Sequence, residues 1–227
     1  MSDSVGTRPL ILGFDTTAAH CAAVLLSGTQ VLASAREEMA RGQAERLVPL
    51  IQDVLATADV NINDLDALGV GVGPGNFTGT RLAVATARGL SLACRIPAVG
   101  VSGLEALAFG AEAPVLASLD ARSGQVYLQG FGRPPANPEI RPTDALGAPD
   151  FNGAGPSSDV LCVGDHAERI AAAHRAKVGA PLYPTAEAVA RIASTRYLDT
   201  DTPRPAPIYL RPAGAAPAAD PPPLMLT

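Results

Sequence analysis

Two aspartates occupy matching places in the chain, each at a polar turn that follows a short apolar run. Asp15 ends the run from residue 9 to 14, and Asp120 ends the run from residue 115 to 119. Carboxylates that face one cleft from two lobes can hold the magnesium and phosphates of a nucleotide. The alternative is a structural role, because Asp is a common turn former. The candidate nucleotide or phosphate contacts are Asp15, Thr16, Thr17 and Asp120.

The segment around Ser102 resembles a nucleophile elbow but is incomplete. Serine hydrolases need Gly-x-Ser-x-Gly between a strand and a helix. Here Gly100 and Ser102 fit that pattern, but Leu104 stands where the last glycine belongs. Ser102 is better explained as the N-cap of a helix, with Glu105 completing a capping box. The sequence therefore predicts no catalytic residue.

A glycine-rich turn, from Gly73 to Gly79, joins an apolar strand to a helix. Glycine permits positive φ and close approach of another chain, Pro74 stiffens the turn, and Thr78 can cap the following helix. A helix N-terminus can bind phosphate. However, the turn lacks the lysine and spacing of a P-loop, and Asn76 stands where a dinucleotide fingerprint needs glycine. Phosphate binding by this turn alone is therefore not predicted.

No metal site is predicted from the histidines and cysteines. His20, His166 and His174 do not contain a pair at the i, i+4 spacing that places two imidazoles on one helix face, and we expect them to be half-exposed. The three cysteines are odd in number and contain no Cys-x-x-Cys pair, a pattern typical of reduced, buried thiols in a cytoplasmic protein.

Composition limits the kind of protein that this chain can be. Its 227 residues are 47% hydrophobic and 17% charged, which is typical of a globular protein with a substantial core. The 22 acidic residues outnumber the 17 basic ones, so the chain lacks the basic excess of a protein that binds nucleic acid alone. Neither a signal peptide nor an apolar run long enough to span a membrane occurs, and a cytoplasmic location is expected.

The first half of the chain predicts an open sheet with helices. Three apolar runs, at residues 9–14, 20–26 and 30–36, indicate a meander of three strands. Residues 42–58 have the apolar period of an amphipathic helix. A further buried strand is expected at residues 67–72, and residues 78–94 form a helix whose small side chains allow close helix packing.

The second half repeats the first in outline. Residues 115–131 again read as a strand, an Asp at the turn and a returning strand, which indicates two related lobes. A loop is expected at 133–156, a strand at 160–164 and helices at 165–175 and 185–198. We therefore expect a disordered segment at 1–8, an N-terminal lobe at 9–110, a reduced C-terminal lobe at 111–212 and a Pro/Ala-rich tail at 213–227.

The motifs in these segments together resemble one family. They comprise residues 11–17, 43–51, 64–81, 96–107 and 120–127, with Ala206-Pro-Ile-Tyr-Leu-Arg211 near the end. This combination is similar to TsaB (YeaZ), the actin-like paralogue of the transferase TsaD in the t6A modification of tRNA. The resemblance implies an α/β actin-like (ASKHA) fold of two lobes, each a mixed sheet flanked by helices, with the second lobe reduced.

The resemblance also implies that this chain does not perform the transfer reaction of its catalytic relatives. In the catalytic relatives, the segment after the fifth strand reads Val-Asn-His-Leu-Glu-Gly-His, and its two histidines bind the metal. The matching stretch here is residues 101–107, with Gly103 and Leu107 at the ligand positions. Neither residue has a donor atom. We therefore expect no metal and no cofactor in the isolated chain, and ATP or ADP and a metal ion in partner subunits.

The implied role is that of a scaffold for a TsaD-type transferase, with a TsaE-type ATPase as a third partner. Contact with tRNA is expected only through the complex, no membrane is involved, and a homodimer is an option when the chain is alone. The expected interface lies on the helices 42–58 and 78–94 and the turn before the second of them. Its predicted residues are Leu47, Leu50, Ile51, Val54, Phe77, Thr78, Arg81, Leu82 and Ala85.

The alternative function is an autonomous ATP-binding, kinase-like enzyme of the same fold, with Asp15, Thr16 and Asp120 lining its cleft. A metalloprotease is a third option, which would require a bound metal ion.

Overall fold

The computed structural model describes residues 8–132, 135–146 and 159–210, which form two five-stranded sheets. Residues 1–7 of the predicted disordered segment 1–8 and the predicted tail at 213–227 lie outside the described residues. Within these residues, none of the helices combines the length and hydropathy needed to cross a bilayer.

The first sheet contains five strands in the order β3-β2-β1-β4-β5. The predicted meander is confirmed, because β1, β2 and β3 are consecutive antiparallel neighbours, while β4 and β5 are parallel to β1. The strand bounds are Leu10–Asp15 for β1, His20–Ser27 for β2, Gln30–Glu38 for β3, Ala67–Gly71 for β4 and Ala98–Val101 for β5.

Helices cover both faces of this sheet. Helices α1 (Gln43–Thr57) and α2 (Phe77–Cys94) pack against Leu12 and Phe14 on one face. On the opposite face, α5 (Thr185–Arg196) packs against Ile11, Val24 and Val99. Alternation along β1 therefore directs successive side chains into two separate cores.

Two glycines in the sheet let α5 approach its surface closely. A Cβ placed on Gly13 would lie 2.6 Å from both the Ala186 carbonyl oxygen and the Ala190 Cβ, and one on Gly69 would lie 2.8 Å from the Val189 carbonyl oxygen. The small residues of α5 and these two glycines thus form one helix-to-sheet contact with no space for another methyl group.

The second sheet repeats the topology of the first. Its order is β10-β9-β6-β7-β8, so each strand has the same neighbours as its counterpart five strands earlier. This confirms the repeat read from the sequence. The bounds are Val115–Arg122 for β6, Gln125–Phe131 for β7, Glu139–Pro142 for β8, Leu161–Gly164 for β9 and Lys177–Val178 for β10.

Helix α4 (Ala167–His174) packs on one face of the second sheet, against Leu116 and Leu128. The other face meets α3 (Gly103–Ala108) through Leu104, which packs against Val115 and Ala117. Because α3 comes from the first half of the chain, the two lobes share a core. The structure confirms the actin-like α/β fold with a reduced second lobe.

Several element assignments differ from the sequence expectation. The predicted loop at 133–156 contains β8, and β10 was missed, because short edge strands lack a clear apolar alternation. Helix α5 lies in the range expected for the second lobe but packs on the first sheet. Its small residues match the glycines of β1 and β4, a pairing that periodicity alone does not reveal.

The helix caps also differ in part. Helix α2 is capped by Asn76, whose Oδ1 accepts hydrogen bonds from Thr78 N at 3.1 Å and Gly79 N at 3.4 Å, so the expected cap at Thr78 is wrong. The expected cap at Ser102 is confirmed by a 3.2 Å bond from Leu104 N to Ser102 Oγ. Glu105 does not close a capping box but pairs with Arg196 of α5.

The close helix-to-sheet contact gives the first prediction. Gly13→Ala would push Ala190 and the α5 backbone away from β1, so we expect a loss of about 1–3 kcal/mol in the free energy of unfolding. Gly89→Ala on α2 is the matched control, because a Cβ there meets nothing within 4 Å and should raise stability by about 0.5–1 kcal/mol. Urea denaturation measures both, and equal effects of the two substitutions would contradict this packing.

A second prediction concerns the thiols. Burial raises the pKa of Cys21 and of Cys162 to about 11, whereas Cys94 is partly exposed near the end of α2. At pH 8, we expect a maleimide to modify only Cys94 in the native chain and all three cysteines after denaturation. Peptide mass spectrometry identifies the modified positions, and rapid native labelling of Cys21 would contradict the expectation.

Candidate functional site

The Asp15 carboxylate is buried at the end of β1 and fully engaged by its own lobe. It accepts a hydrogen bond from Thr17 Oγ1 at 2.9 Å and one from Thr17 N at 3.3 Å, and it lies 2.6 Å from His20 Nε2. His20 is also buried, so the expectation of a half-exposed side chain is wrong for this residue. The polar groups in this cluster bond to one another and close the β1–β2 turn.

The β1–β2 turn is interlocked with the glycine-rich turn that precedes α2. Asn76 N donates to the Thr17 carbonyl oxygen at 2.6 Å, and Thr16 Oγ1 donates to the Gly79 carbonyl oxygen at 2.7 Å. A Cβ on Gly75 would lie 2.2 Å from the Thr17 carbonyl oxygen, and one on Gly79 would lie 1.9 Å from the Thr16 carbonyl oxygen. Glycine is therefore required at both positions because of backbone contact within this chain.

This packing places Asp15, Thr16 and Thr17 away from solvent, since all three are buried. A Cβ on Gly71 would lie 1.8 Å from Asp15 Oδ1, so the strand β4 backbone covers the carboxylate on one side. In this conformation, the three residues support the turn and present no open face to a phosphate.

Asp120, the counterpart in the second lobe, lies in a different environment. Its side chain is exposed, its Oδ1 accepts a 3.1 Å hydrogen bond from Arg122 N, and His166 Nε2 lies 3.7 Å away. Asp165 Oδ2 accepts a 2.7 Å bond from Asp120 N. No hydrogen bond joins this group to the Asp15 turn among the described residues. The structure thus separates the predicted contacts into a buried set and an exposed aspartate.

The described residues contain no group of three or more His, Cys, Asp or Glu side chains that could hold a metal ion. His174, expected to be half-exposed, is instead buried, with Nε2 2.9 Å from the Leu146 carbonyl oxygen.

The two positions at which the sequence resemblance implies metal ligands lie where α3 meets the second lobe. Gly103 N donates to the Gly73 carbonyl oxygen at 2.8 Å, and a Cβ on Gly103 would lie 3.1 Å from Leu119 Cδ1. Leu107 is one helical turn further on, and its Cδ1 lies 2.9 Å from the position that a Cβ on Gly164 would take. Both positions therefore make apolar contacts with the second lobe, and Gly103 also makes a backbone contact within the first.

The predicted partner surface is only partly exposed. Leu47, Leu50, Ile51 and Val54 are buried in the core under α1, so their assignment to an interface is wrong. They form the apolar stripe that holds α1 on its own sheet, and a stripe of this kind does not distinguish a core face from a partner face. On the outer side of α1, Val48 is exposed.

The predicted residues on α2 face outward. Phe77, Thr78, Arg81 and Ala85 are exposed, and Leu82 is half-buried against the core. Helical geometry divides the outer face of α2 into two stripes, which we name for their side chains. The small stripe consists of Thr78, Ala85 and Gly89, and the arginine edge consists of Arg81, Arg88 and Arg95.

The sequence analysis included residues 206–211 in the family resemblance but did not anticipate their contacts with α2. Residues 204–210 cross α2 as an extended strap: Ile208 N donates to the Val72 carbonyl oxygen at 2.8 Å, and Arg88 Nε donates to the Pro205 carbonyl oxygen at 2.8 Å. Arg81 Nε donates to Tyr209 Oη at 2.8 Å, and the Arg81 guanidinium lies 3.6 Å from the centre of the Phe77 ring. Because this stretch is rich in proline, its composition did not indicate these contacts.

A groove of about 790 Å³ runs beside the strap at the C-terminal end of α2. Its cationic side chains are Arg88, Arg95 and Arg204, and Asp199 is its acidic one. Apolar walls come from α2, β5 and the segment after α5, including Leu92 and Leu198, which are 82% and 78% exposed. The sequence analysis missed this groove, because Arg204 stands about a hundred positions after Arg88 and Arg95.

A third prediction distinguishes the two aspartates. Asp15→Asn removes the charge that three groups contact, and we expect a loss of about 1–3 kcal/mol in the free energy of unfolding. Asp120→Asn is the matched control, expected to change stability by less than about 0.5 kcal/mol because the side chain is exposed. Equal effects in chemical denaturation would mean that the Asp15 cluster does not stabilise the lobe.

Comparison with known proteins shows what this chain is similar to. Residues 30–133 match the family described as TsaD, tRNA N6-adenosine threonylcarbamoyltransferase. The Escherichia coli tRNA threonylcarbamoyladenosine biosynthesis protein TsaB is 38% identical over 128 residues, which cover 54% of this chain and 55% of that protein. The chain thus spans about half the length of the curated relatives it matches.

Solved structures extend the similarity over most of the chain. YeaZ from Pseudomonas aeruginosa is 29% identical and superposes with a TM-score of 0.70, covering 89% of this chain and 100% of that one. Component A of the Acidaminococcus fermentans (R)-2-hydroxyglutaryl-CoA dehydratase shares the fold alone, with 13% identity, a TM-score of 0.53 and coverage of 83% of this chain and 99% of that one. In the sequence of its N-terminal half and in fold over 89% of its length, the chain is similar to the TsaB and YeaZ proteins.

Proposed function

We propose that this chain is a non-catalytic scaffold subunit that binds and supports a TsaD-type transferase in the t6A modification of tRNA. The observation that carries the proposal concerns Gly103 and Leu107. These two residues stand where the catalytic relatives have their metal-binding histidines. Neither side chain has a donor atom, and both positions are occupied by contacts between the lobes. The chain keeps the fold of the catalytic relatives and uses the ligand segment for packing.

The buried Asp15 turn supports the same proposal. A kinase-like enzyme needs its first-strand turn to face the nucleotide, whereas here the carboxylate is enclosed by Thr17, His20 and Gly71. The nucleotide and the metal ion of the reaction would then belong to partner subunits. A TsaE-type ATPase is the further proposed partner, and the assembly would act in the cytoplasm.

The small stripe of α2 is the proposed contact with the transferase. Gly89 is the residue that most favours this assignment, because it lies inside the helix and a Cβ there would have no neighbour within 4 Å in this chain. A glycine in an exposed helix lowers stability by roughly 0.5–1 kcal/mol relative to alanine, so its presence favours close approach by another chain. Phe77, 56% exposed, adds an apolar anchor at the start of the helix. The same stripe would serve a homodimer when the transferase is absent.

The fourth prediction tests this surface. Ala85→Glu places a charge in the middle of the small stripe, and we expect at least a tenfold loss of affinity for a TsaD-type transferase, because a buried, unpaired charge opposes association. Ala85 is exposed, so the fold should be retained. Copurification and calorimetry measure the effect.

The matched control is Ala172→Glu, an equally exposed alanine on α4 of the second lobe. It should bind the transferase as the unmodified chain does. Full affinity of the Ala85→Glu chain would show that the transferase uses another face. The alternative, an autonomous ATP-using enzyme, would be supported by magnesium-dependent ATP binding with turnover by the isolated chain.

A further inference from the structure

The arginine edge follows one side of α2 for most of its length. Arg81 and Arg88 are seven residues apart, close to two helical turns, so they lie about 10.5 Å apart along the helix. Arg95 follows seven residues later as the C-cap of α2, in a left-handed conformation with φ 58°. All three are exposed. Arg204 of the strap lines the same groove as Arg88 and Arg95, which gives four guanidinium groups along about 21 Å of surface.

This edge is locally basic on an acidic protein. Helix α2 contains no Asp or Glu, although the whole chain has a formal net charge of −5. Among the described residues, none of the four arginines forms an ion pair, whereas Arg36, Arg46, Arg141, Arg191 and Arg196 each pair with a carboxylate. Asp199 is the one acidic side chain that lines the groove.

The guanidinium groups of Arg81 and Arg88 are each held in place by a hydrogen bond that Nε donates. Arg88 uses Nε to bond the Pro205 carbonyl oxygen, and Arg81 uses Nε to bond Tyr209 Oη. Neither bond occupies the terminal amino groups, which remain available for a bidentate contact with an anion. Ordering of these long side chains before binding lowers the entropy lost on binding.

We propose that the arginine edge, together with Arg204, binds the phosphate backbone of an RNA strand. A row of cations along a helix matches a linear polyanion, whereas a single carboxylate or a mononucleotide would engage only one or two of the four groups. Tyr209 lies at one end of the row, 53% exposed, with the Arg81 guanidinium 5.6 Å from its ring centre. Exposed aromatic rings beside arginines are suited to stack unpaired bases.

The choice of RNA rests on the proposed function, in which tRNA is the substrate of the assembly. It also departs from the expectation that tRNA is contacted only through the complex, since this chain would contact the tRNA itself. The small stripe is rotated about 40–80° from Arg81 around the helix axis, so a protein partner and an RNA strand can occupy α2 together. The net negative charge means that the isolated chain should bind weakly, and that this edge adds to the affinity supplied by a partner.

The test is a titration of the full-length chain with a tRNA transcript at low salt, followed through the arginine Nε–H signals by NMR. We expect the largest shifts at Arg88, Arg95 and Arg204, with Arg46 and Arg191 unchanged because carboxylates hold them. No shifts, or equal shifts at all exposed arginines, would overturn the proposal. Since the titration needs no transferase, its outcome is separate from that of the Ala85→Glu experiment.

Substitution of three of these arginines provides a second test of the proposal. The triple variant R88Q/R95Q/R204Q should bind tRNA at least tenfold more weakly and lower the salt dependence, d log K/d log[salt], by about two to three. The control R8Q/R41Q/R175Q removes the same charge from exposed arginines elsewhere and should keep most of the affinity. Poly-glutamate serves as the competitor: if it shifts the same signals with the affinity of tRNA, the edge is a general docking site for acidic chains and the assignment to RNA is wrong.

Discussion

The mutual enclosure of two backbone turns determines where the functional surfaces of this protein lie. The β1–β2 turn, closed on itself by Asp15, Thr17 and His20, bonds to the turn that starts α2 through one of its carbonyl oxygens and one of its hydroxyl groups. Contact is so close that Gly75 and Gly79 have no space for a Cβ. The position of the α2 N-terminus is thereby fixed to the first strand, and with it the direction of the small stripe and the arginine edge.

The same enclosure gives a physical account of the proposed scaffold role. In two lobes of equal topology, the aspartate of the first is buried as a structural group, and that of the second stays exposed near His166. Helix α3, at the implied metal-ligand segment, packs between the lobes through Leu104 and Leu107. Of the groups that would face a ligand in an enzyme, Asp15 here holds a turn of the first lobe, and α3 packs between the lobes. The proposed scaffold role then uses the outer surface of the first lobe.

Much of the fold was predictable, because the strand runs, the period of α1 and the repeated strand-Asp-strand outline are local signals. The repeat in particular anticipated two sheets of the same order. What could not be predicted depends on contacts distant in sequence. Periodicity shows that Leu47 and Val54 share a face but not whether that face meets the sheet or a partner. The packing of α5 on Gly13, the strap across α2 and the groove between Arg95 and Arg204 bring together residues that are separated by about a hundred positions or more.

The central claim, that the chain supports t6A formation without performing it, is tested most directly by reconstitution. A TsaD-type transferase, a TsaE-type ATPase, a tRNA transcript and threonylcarbamoyl adenylate would be combined with and without this chain, and t6A would be measured by mass spectrometry of the digested tRNA. The account predicts sustained t6A formation only when both the chain and the transferase are present, and none from the chain without the transferase. Equal t6A formation when the chain is omitted would contradict the account.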